Sequence, residues 1–130
     1  MADNKIQATF QPPPPPPTFE FYDIDGFLVY HYGRKTGINS DEVLISIICY
    51  VQRQLVAHMN FFPEAHVPAA RIEVDANTPK GYRLWMTFPI ERAEEVIETL
   101  RQSQTVSISV DTAQGHSLVG GTRSIGKQIP

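Results

Sequence analysis

The spacing of hydrophobic positions changes along this chain and predicts the order of its elements. Residues 71–76 and 105–112 alternate, with Ile72 and Val74 in the first segment and Val106, Ile108 and Val110 in the second, which is typical of a half-buried strand. Residues 82–88 form a further predicted strand, which a turn sequence joins to residues 71–76, so the two strands should be antiparallel neighbours. Residues 90–102 repeat apolar positions every three or four residues, which predicts an amphipathic helix.

A long apolar run at residues 40–62 is interpreted as the central helix. Ser40 can act as an N-cap, acidic residues follow it, and Pro63 ends the run. Its apolar residues surround the predicted helix, and a single sheet can cover only one side. We therefore expect Ile45, Cys49 and Val56 to face a second copy of the chain, a different partner or the chain's own tail.

Two aromatic segments precede this run. Residues 19–24 and 27–32 are rich in aromatic and β-branched residues, and Asp25-Gly26 lies between them. Asp-Gly is a strong signal for a type I′ turn. The sequence therefore predicts a β-hairpin.

Together these elements predict an α+β fold. After the first strand the order is βαββαβ, which is the ferredoxin-like order, with two helices on one face of an antiparallel sheet and an extra N-terminal strand. The alternatives are another strand order or a sheet partly closed into a barrel. The domain spans residues 19–112, between a disordered proline-rich tail at 1–18 and a flexible glycine-rich tail at 113–130. The six prolines at 12–17 act either as a spacer or as a docking peptide.

Composition narrows the class of protein. A chain of 130 residues with 42% hydrophobic content has room for one core, and a net charge of −3 gives no general attraction to nucleic acid or membranes. The single cysteine allows neither an internal disulfide nor a cysteine zinc site. With no signal peptide and no transmembrane run, a soluble cytoplasmic protein is expected.

One face of the predicted sheet carries the candidate binding residues. Alternation turns Arg71, Arg83 and Trp85 away from the helices. The first hairpin adds either Leu28, Tyr30 and Tyr32 or Phe27, Val29 and His31 to this face. Aromatic and arginine side chains dominate many protein interfaces, so we predict a contact patch of four residues, namely Trp85, Arg83, Tyr30 and Tyr32.

A nucleic-acid interface is the alternative. Residues 80–88 resemble the third-strand signature of the RNA recognition motif at Lys80, Gly81 and Tyr82, which implies base stacking. Arg83, Leu84 and Thr87 depart from the signature, and its pattern would place Trp85 in the core, so no family membership is inferred. The candidate nucleic-acid residues are Arg71, Lys80, Tyr82, Arg123 and Lys127.

The C-terminal residues 121–127 fit the pattern G-x-x-x-x-G-K. In a phosphate loop the lysine is followed by Ser or Thr, and a helix begins there. In this sequence Gln128 follows Lys127, and Pro130 comes two residues later. We expect Arg123 and Lys127 to serve instead as cations on a glycine-rich tail that contacts an acidic partner or a phosphate.

The sequence predicts no catalytic set, metal site or cofactor. His58, Glu64 and His66 match no standard metal spacing, and a helical Cys49 among isoleucines is expected to be inert. The predicted function is a non-catalytic protein-interaction module that forms a homo-oligomer or joins a larger complex. Nucleic-acid binding is the second hypothesis, and a small-molecule sensor built from two paired α+β domains is the third.

Overall fold

The computed structural model describes residues 15–32 and 43–122. Within these ranges lie eight strands, a short 3₁₀ turn (Ile90–Arg92) and one α-helix, α1 (Ala93–Gln102). The strands are β1 (Phe19–Ile24), β2 (Gly26–His31), β3 (Ile45–Val51), β4 (Gln54–Phe62), β5 (Arg71–Val74), β6 (Tyr82–Pro89), β7 (Thr105–Asp111) and β8 (His116–Thr122).

The strands form two sheets that enclose one core. The first sheet is antiparallel in the order β1-β7-β8, and the second has the order β2-β3-β4-β6-β5, with β4 and β6 parallel. Alternate residues of both sheets, with Val96 and Leu100 of α1, make up the core. The fold is therefore mostly β, and the prediction of a two-helix ferredoxin-like α+β sandwich is wrong.

The predicted central helix is the main error behind that prediction. Its described part, from residue 43 onward, forms β3 and β4, which pair antiparallel around a turn at Gln52 and Arg53. Ile47 and Cys49 of β3 lie in the core, and Ile48 and Tyr50 on its other face are half-buried. A strand with both faces at least half covered can have the same continuous apolar run as a buried helix. Its β-branched residues favour the strand.

An irregularity in β4 adds to the apolar appearance of this segment. The register shifts between Cys49 and Tyr50, so that Val56 is an extra residue between Leu55 and Ala57. Val56 and Ala57 both have 0% exposure. Such a bulge places two neighbouring side chains in the core, which interrupts the alternation expected of a strand.

The predicted N-terminal hairpin is also wrong, although both of its strands exist. β1 pairs with β7, and β2 pairs with β3, so the chain passes from one sheet to the other at Asp25. The Asp25 carboxylate accepts hydrogen bonds from the backbone N–H of Gln52. Asp25 therefore supports the β3–β4 turn rather than a turn of its own.

The segment predicted as a C-terminal tail contains a strand. β8 pairs along the whole of β7. A Cβ placed on Gly121 would lie 1.9 Å from Ser103 Oγ, so glycine allows β8 to approach the end of α1 closely. Regular structure therefore continues past residue 112, as far as Thr122, while residues 1–14 and 123–130 lie outside the described residues.

Three local predictions are confirmed. β5 and β6 are antiparallel neighbours, α1 follows the 3₁₀ turn within the predicted helix, and β7 turns Val106, Ile108 and Val110 into the core.

The two sheets are joined by a side chain, since the buried Tyr22 of β1 donates its hydroxyl hydrogen to the carbonyl of Tyr82. The packing thus holds both sheets in a single unit.

Candidate protein-interaction surface

The five-stranded sheet has one face toward the core and one away from it. A row of paired residues crosses the second face through all five strands, in the order Leu28, Ile48, His58, Trp85 and Arg71. We call this the outer face. All five side chains in the row are at least partly exposed, whereas their neighbours Ile47, Met59, Leu84 and Met86 have 0% exposure on the core side.

Trp85 lies at the centre of a stack on the outer face. The His58 ring is parallel to the Trp85 ring within 5°, with 4.1 Å between their centroids. The Arg71 guanidinium lies 4.6 Å from the centroid of the Trp85 ring. Because Arg71 and His58 come from the strands on either side of β6, they cover opposite faces of the indole. The indole N–H donates to Glu73 Oε1 at 3.1 Å, so Trp85 is held in one orientation.

Arg83 links this stack to the end of β5. It forms a 2.6 Å ion pair with Asp75 and lies 3.3 Å from His58 Nε2. Burial, reinforced by the charge of Arg83, lowers the pKa of His58, so the neutral imidazole accepts a hydrogen bond from the guanidinium. The hydrogen bond from the backbone of Asn77, together with Arg83, lowers the pKa of Asp75.

The other half of the outer face is apolar. Leu28 and Tyr30 of β2 are 50% and 46% exposed. Next to them Ile48, Tyr50 and Leu55 are half-buried. The pleat therefore decides between the two sequence-based alternatives, because Leu28 and Tyr30 share the face of Trp85, while Phe27 and Val29 pack toward the core.

The predicted contact residues fall into two groups. Trp85, Arg83 and Tyr30 share the outer face, and the exposed Tyr32 follows at the end of β2. The structure does not bring Ile45, Cys49 and Val56 to this face, since Cys49 and Val56 have 0% exposure and Ile45 packs against the core. The excess apolar surface that the helix prediction implied is thus covered within the fold.

The predicted nucleic-acid residues are engaged within the chain. Arg71 pairs with Glu73, Lys80 pairs with Glu20, and Tyr82 packs partly against the core. Arg123 and Lys127 lie outside the described residues. The pleat turns Trp85 outward and buries Leu84, which is the reverse of the stacking pattern in the RNA recognition signature.

A second apolar surface lies on the three-stranded sheet, and the sequence patterns above do not predict it. Phe19, Phe21 and Leu118 are exposed on the side opposite Tyr22 and Ile108, and Lys80 lies 3.5 Å from the centroid of the Phe21 ring. The alternation of phenylalanines with Glu20 and Tyr22 was a visible signal. It could not show which face was outward until the pairing with β7 was known.

Catalytic or metal chemistry gains no support from the described residues. Burial raises the pKa of the Cys49 thiol to about 12, which makes it a poor nucleophile. Within residues 15–32 and 43–122, no three His, Cys, Asp or Glu side chains are placed to hold a metal ion.

A recess of about 370 Å³ beside β2 is lined by Asp25, Gly26, Phe27, Leu28, Tyr50 and Arg53. The sensor hypothesis rested on the ferredoxin-like fold and loses that basis.

Comparisons with known proteins give no family for this chain. No protein-family model, no curated protein and no solved structure matches it. In the part of the chain that the structure describes, no helix is long and apolar enough to cross a membrane. The function of this chain is therefore inferred from the geometry of the outer face.

Proposed function

We propose that this protein is a non-catalytic protein-interaction module and that the outer face of its five-stranded sheet is the contact surface. One observation carries the proposal, namely that an exposed apolar half, formed by Leu28 and Tyr30, adjoins a rigid half built around Trp85 on the same face. The buried, unpaired thiol of Cys49 is consistent with a reducing compartment, so a cytoplasmic location forms part of the proposal.

The two halves supply different parts of a binding surface. Tyrosine, tryptophan and arginine are the residue types that most often dominate the free energy of protein association. The stack of His58, Trp85 and Arg71 is already ordered, so a partner that contacts it loses little additional side-chain entropy. Leu28 and Tyr30 offer apolar area that association would remove from water.

Nucleic-acid binding is less well supported by the same geometry. Base stacking needs a free aromatic face, but His58 and Arg71 cover both faces of Trp85. Phosphate binding needs unpaired cations, but Arg71, Lys80 and Arg83 each have a carboxylate partner. The outer face therefore resembles a protein contact more than a nucleic-acid groove.

The test is a pair of charge substitutions in the exposed apolar half. Leu28→Glu with Tyr30→Glu places two carboxylates where a partner would have to desolvate them, and both positions are exposed enough for the fold to tolerate the change. The full chain is produced with a tag in its native cell, chemically cross-linked and isolated. Sedimentation velocity of the purified protein is measured in parallel.

We expect the wild-type chain to appear in a complex larger than its monomer, and the outer-face variant to lose that complex. Leu118→Glu is the control, since it adds a charge at a leucine of the three-stranded sheet that is 64% exposed, compared with 50% for Leu28, and should leave the complex intact. A wild-type chain that stays monomeric in both experiments contradicts the proposal. Retention of the complex by the outer-face variant contradicts it as well.

A further inference from the structure

The edges of the two sheets differ in how their backbone groups are protected. An exposed edge strand can pair with another chain, and proteins usually block this with short strands, charges or covering elements. At β1, the Lys80 ammonium donates to the carbonyl of Phe21 at 2.6 Å. β5 has four residues, two of which are Arg71 and Glu73. β8 lies against α1 at Gly121.

The edge of β2 has none of these features in the described residues. Its sequence, GFLVYH, contains neither a charged residue nor a proline, and its only strand neighbour there is β3. The N–H of Tyr32 donates to the carbonyl of Leu44 at 3.0 Å, which fixes the phase of the β2–β3 ladder. Even-numbered residues of β2 therefore bond to β3, and the backbone groups of Phe27, Val29 and His31 point away from it.

We propose that β2 pairs antiparallel with β2 of a second copy of this chain, about a two-fold axis at Val29. This inference rests on the proposed function and names the partner as the chain itself. Only odd-numbered residues offer backbone groups at the free edge, and an axis at Val29 is the one that pairs all three of them with one another, joining Val29 with Val29 and Phe27 with His31 of the second copy. The three pairs exchange about six hydrogen bonds.

The side chains of this register are complementary. Leu28 of one copy lies opposite Tyr30 of the other, and the same contact repeats across the two-fold axis. These are the two exposed large hydrophobic side chains of β2, and aromatic–aliphatic pairs across strands are favourable. No like charges oppose each other, because Gly26–His31 has no lysine, arginine or carboxylate. The five-stranded sheet continues into the second copy, and the two outer faces become one surface.

Disulfide trapping tests the register directly. Leu28→Cys and Tyr30→Cys are made as separate single variants, purified, mixed and oxidised under mild conditions. Opposed residues in a pair without mutual hydrogen bonds have Cα atoms about 4.5 Å apart, which a disulfide can span. We expect disulfide-linked dimers in the mixture, and a much lower yield of such dimers when either variant is oxidised alone. Cys49 is fully buried and does not compete.

Val29→Pro tests the backbone contact separately. The N–H of Val29 points away from β3, so proline removes a donor from the free edge without removing one from the β2–β3 ladder. We expect the dimer to weaken by about tenfold or more, whereas Val29→Ala, which keeps the N–H, retains it. Since a contact of this length is at the small end of interface sizes, sedimentation is measured over a concentration series.

The outcomes separate this inference from the proposed function. Cross-linking in the mixture, together with loss of the dimer in Val29→Pro, supports pairing through β2. A monomer at the highest concentration, or equal cross-linking of each variant alone, overturns it. If such a monomer still captures a different protein through Leu28 and Tyr30, the β2 dimer is wrong and the interaction module stands. If the outer-face glutamates change nothing, both are wrong.

Discussion

His58 is a half-buried base whose neutral form the folded state favours. Burial and Arg83 lower its pKa, and the weaker attraction of Glu73 opposes them. The unfolded chain therefore takes up this proton near pH 6.5, before the folded protein does. Stability from this site is complete above that pH and is lost as the pH falls toward the lower pKa of the folded state.

Thermal unfolding at about pH 7.5 and at about pH 5.5 tests this, because ordinary carboxylates titrate below that range. We expect the wild-type midpoint to fall on acidification and that of His58→Gln, which keeps an acceptor for Arg83, to fall less. Equal shifts in the two proteins would show that His58 is not the group responsible. Trp85 fluorescence reports the transition, since it is the one tryptophan of the chain.

Cys49 should behave as a core side chain rather than a reactive thiol. It has 0% exposure, and burial raises its pKa to about 12. A thiol reagent at about pH 8 should therefore label the protein no faster than it unfolds. Cys49→Ser should lower the free energy of unfolding by about 1–3 kcal/mol if its hydroxyl finds no partner, and more than Cys49→Ala does. Rapid labelling of the native protein would contradict this placement.

At the scale of elements, the β3–β4 turn is where the sequence and the fold disagree most. Gln52 and Arg53 have φ values of 49° and 70°, as a type I′ turn requires, yet neither is Asn or Gly. Each residue in this left-handed conformation costs about 1 kcal/mol. The Asp25 carboxylate, which accepts from the N–H of Gln52, offsets part of that cost.

Replacing the turn with Asn-Gly, as Gln52→Asn with Arg53→Gly, should therefore stabilise the protein by roughly 1 kcal/mol. Urea unfolding measures the change. Asp25→Ala is the opposing variant and should lower stability by about 1 kcal/mol, because the turn loses its carboxylate acceptor. An Asn-Gly variant no more stable than the wild type would mean that this turn does not have the type I′ conformation.

At the scale of the whole molecule, one core and one buried hydroxyl join the two sheets. Tyr22 has 2% exposure and bonds to the carbonyl of Tyr82 across the sheets. We expect a single cooperative transition, in which Trp85 fluorescence and the hydrogen exchange of β7 amides report the same free energy of unfolding. Tyr22→Phe should lower both by about 1 kcal/mol, and Tyr30→Phe should change neither by more than about 0.5 kcal/mol. Divergent values for the two sheets would contradict a shared core.

The sequence by itself determined those elements in which the spacing of hydrophobic residues fits only a strand or only a helix. β5, β6, β7 and α1 were predicted because alternation or a three-to-four spacing follows directly from one covered face. The same alternation placed Arg71, Arg83 and Trp85 together on the outer face. Outside these segments the pattern was ambiguous.

Only the tertiary structure decided the rest, because it depends on which strands are neighbours. β3 is apolar on both faces because one face lies in the core and the other is half-buried beside β2 and β4, and hydrophobic periodicity alone does not separate that from a buried helix. Asp25-Gly26 marks a change of sheet rather than a hairpin, because β1 and β2 find different partners. Within residues 15–32 and 43–122, the edge position of β2 follows from the same strand order, which is set by pairing between segments distant in sequence.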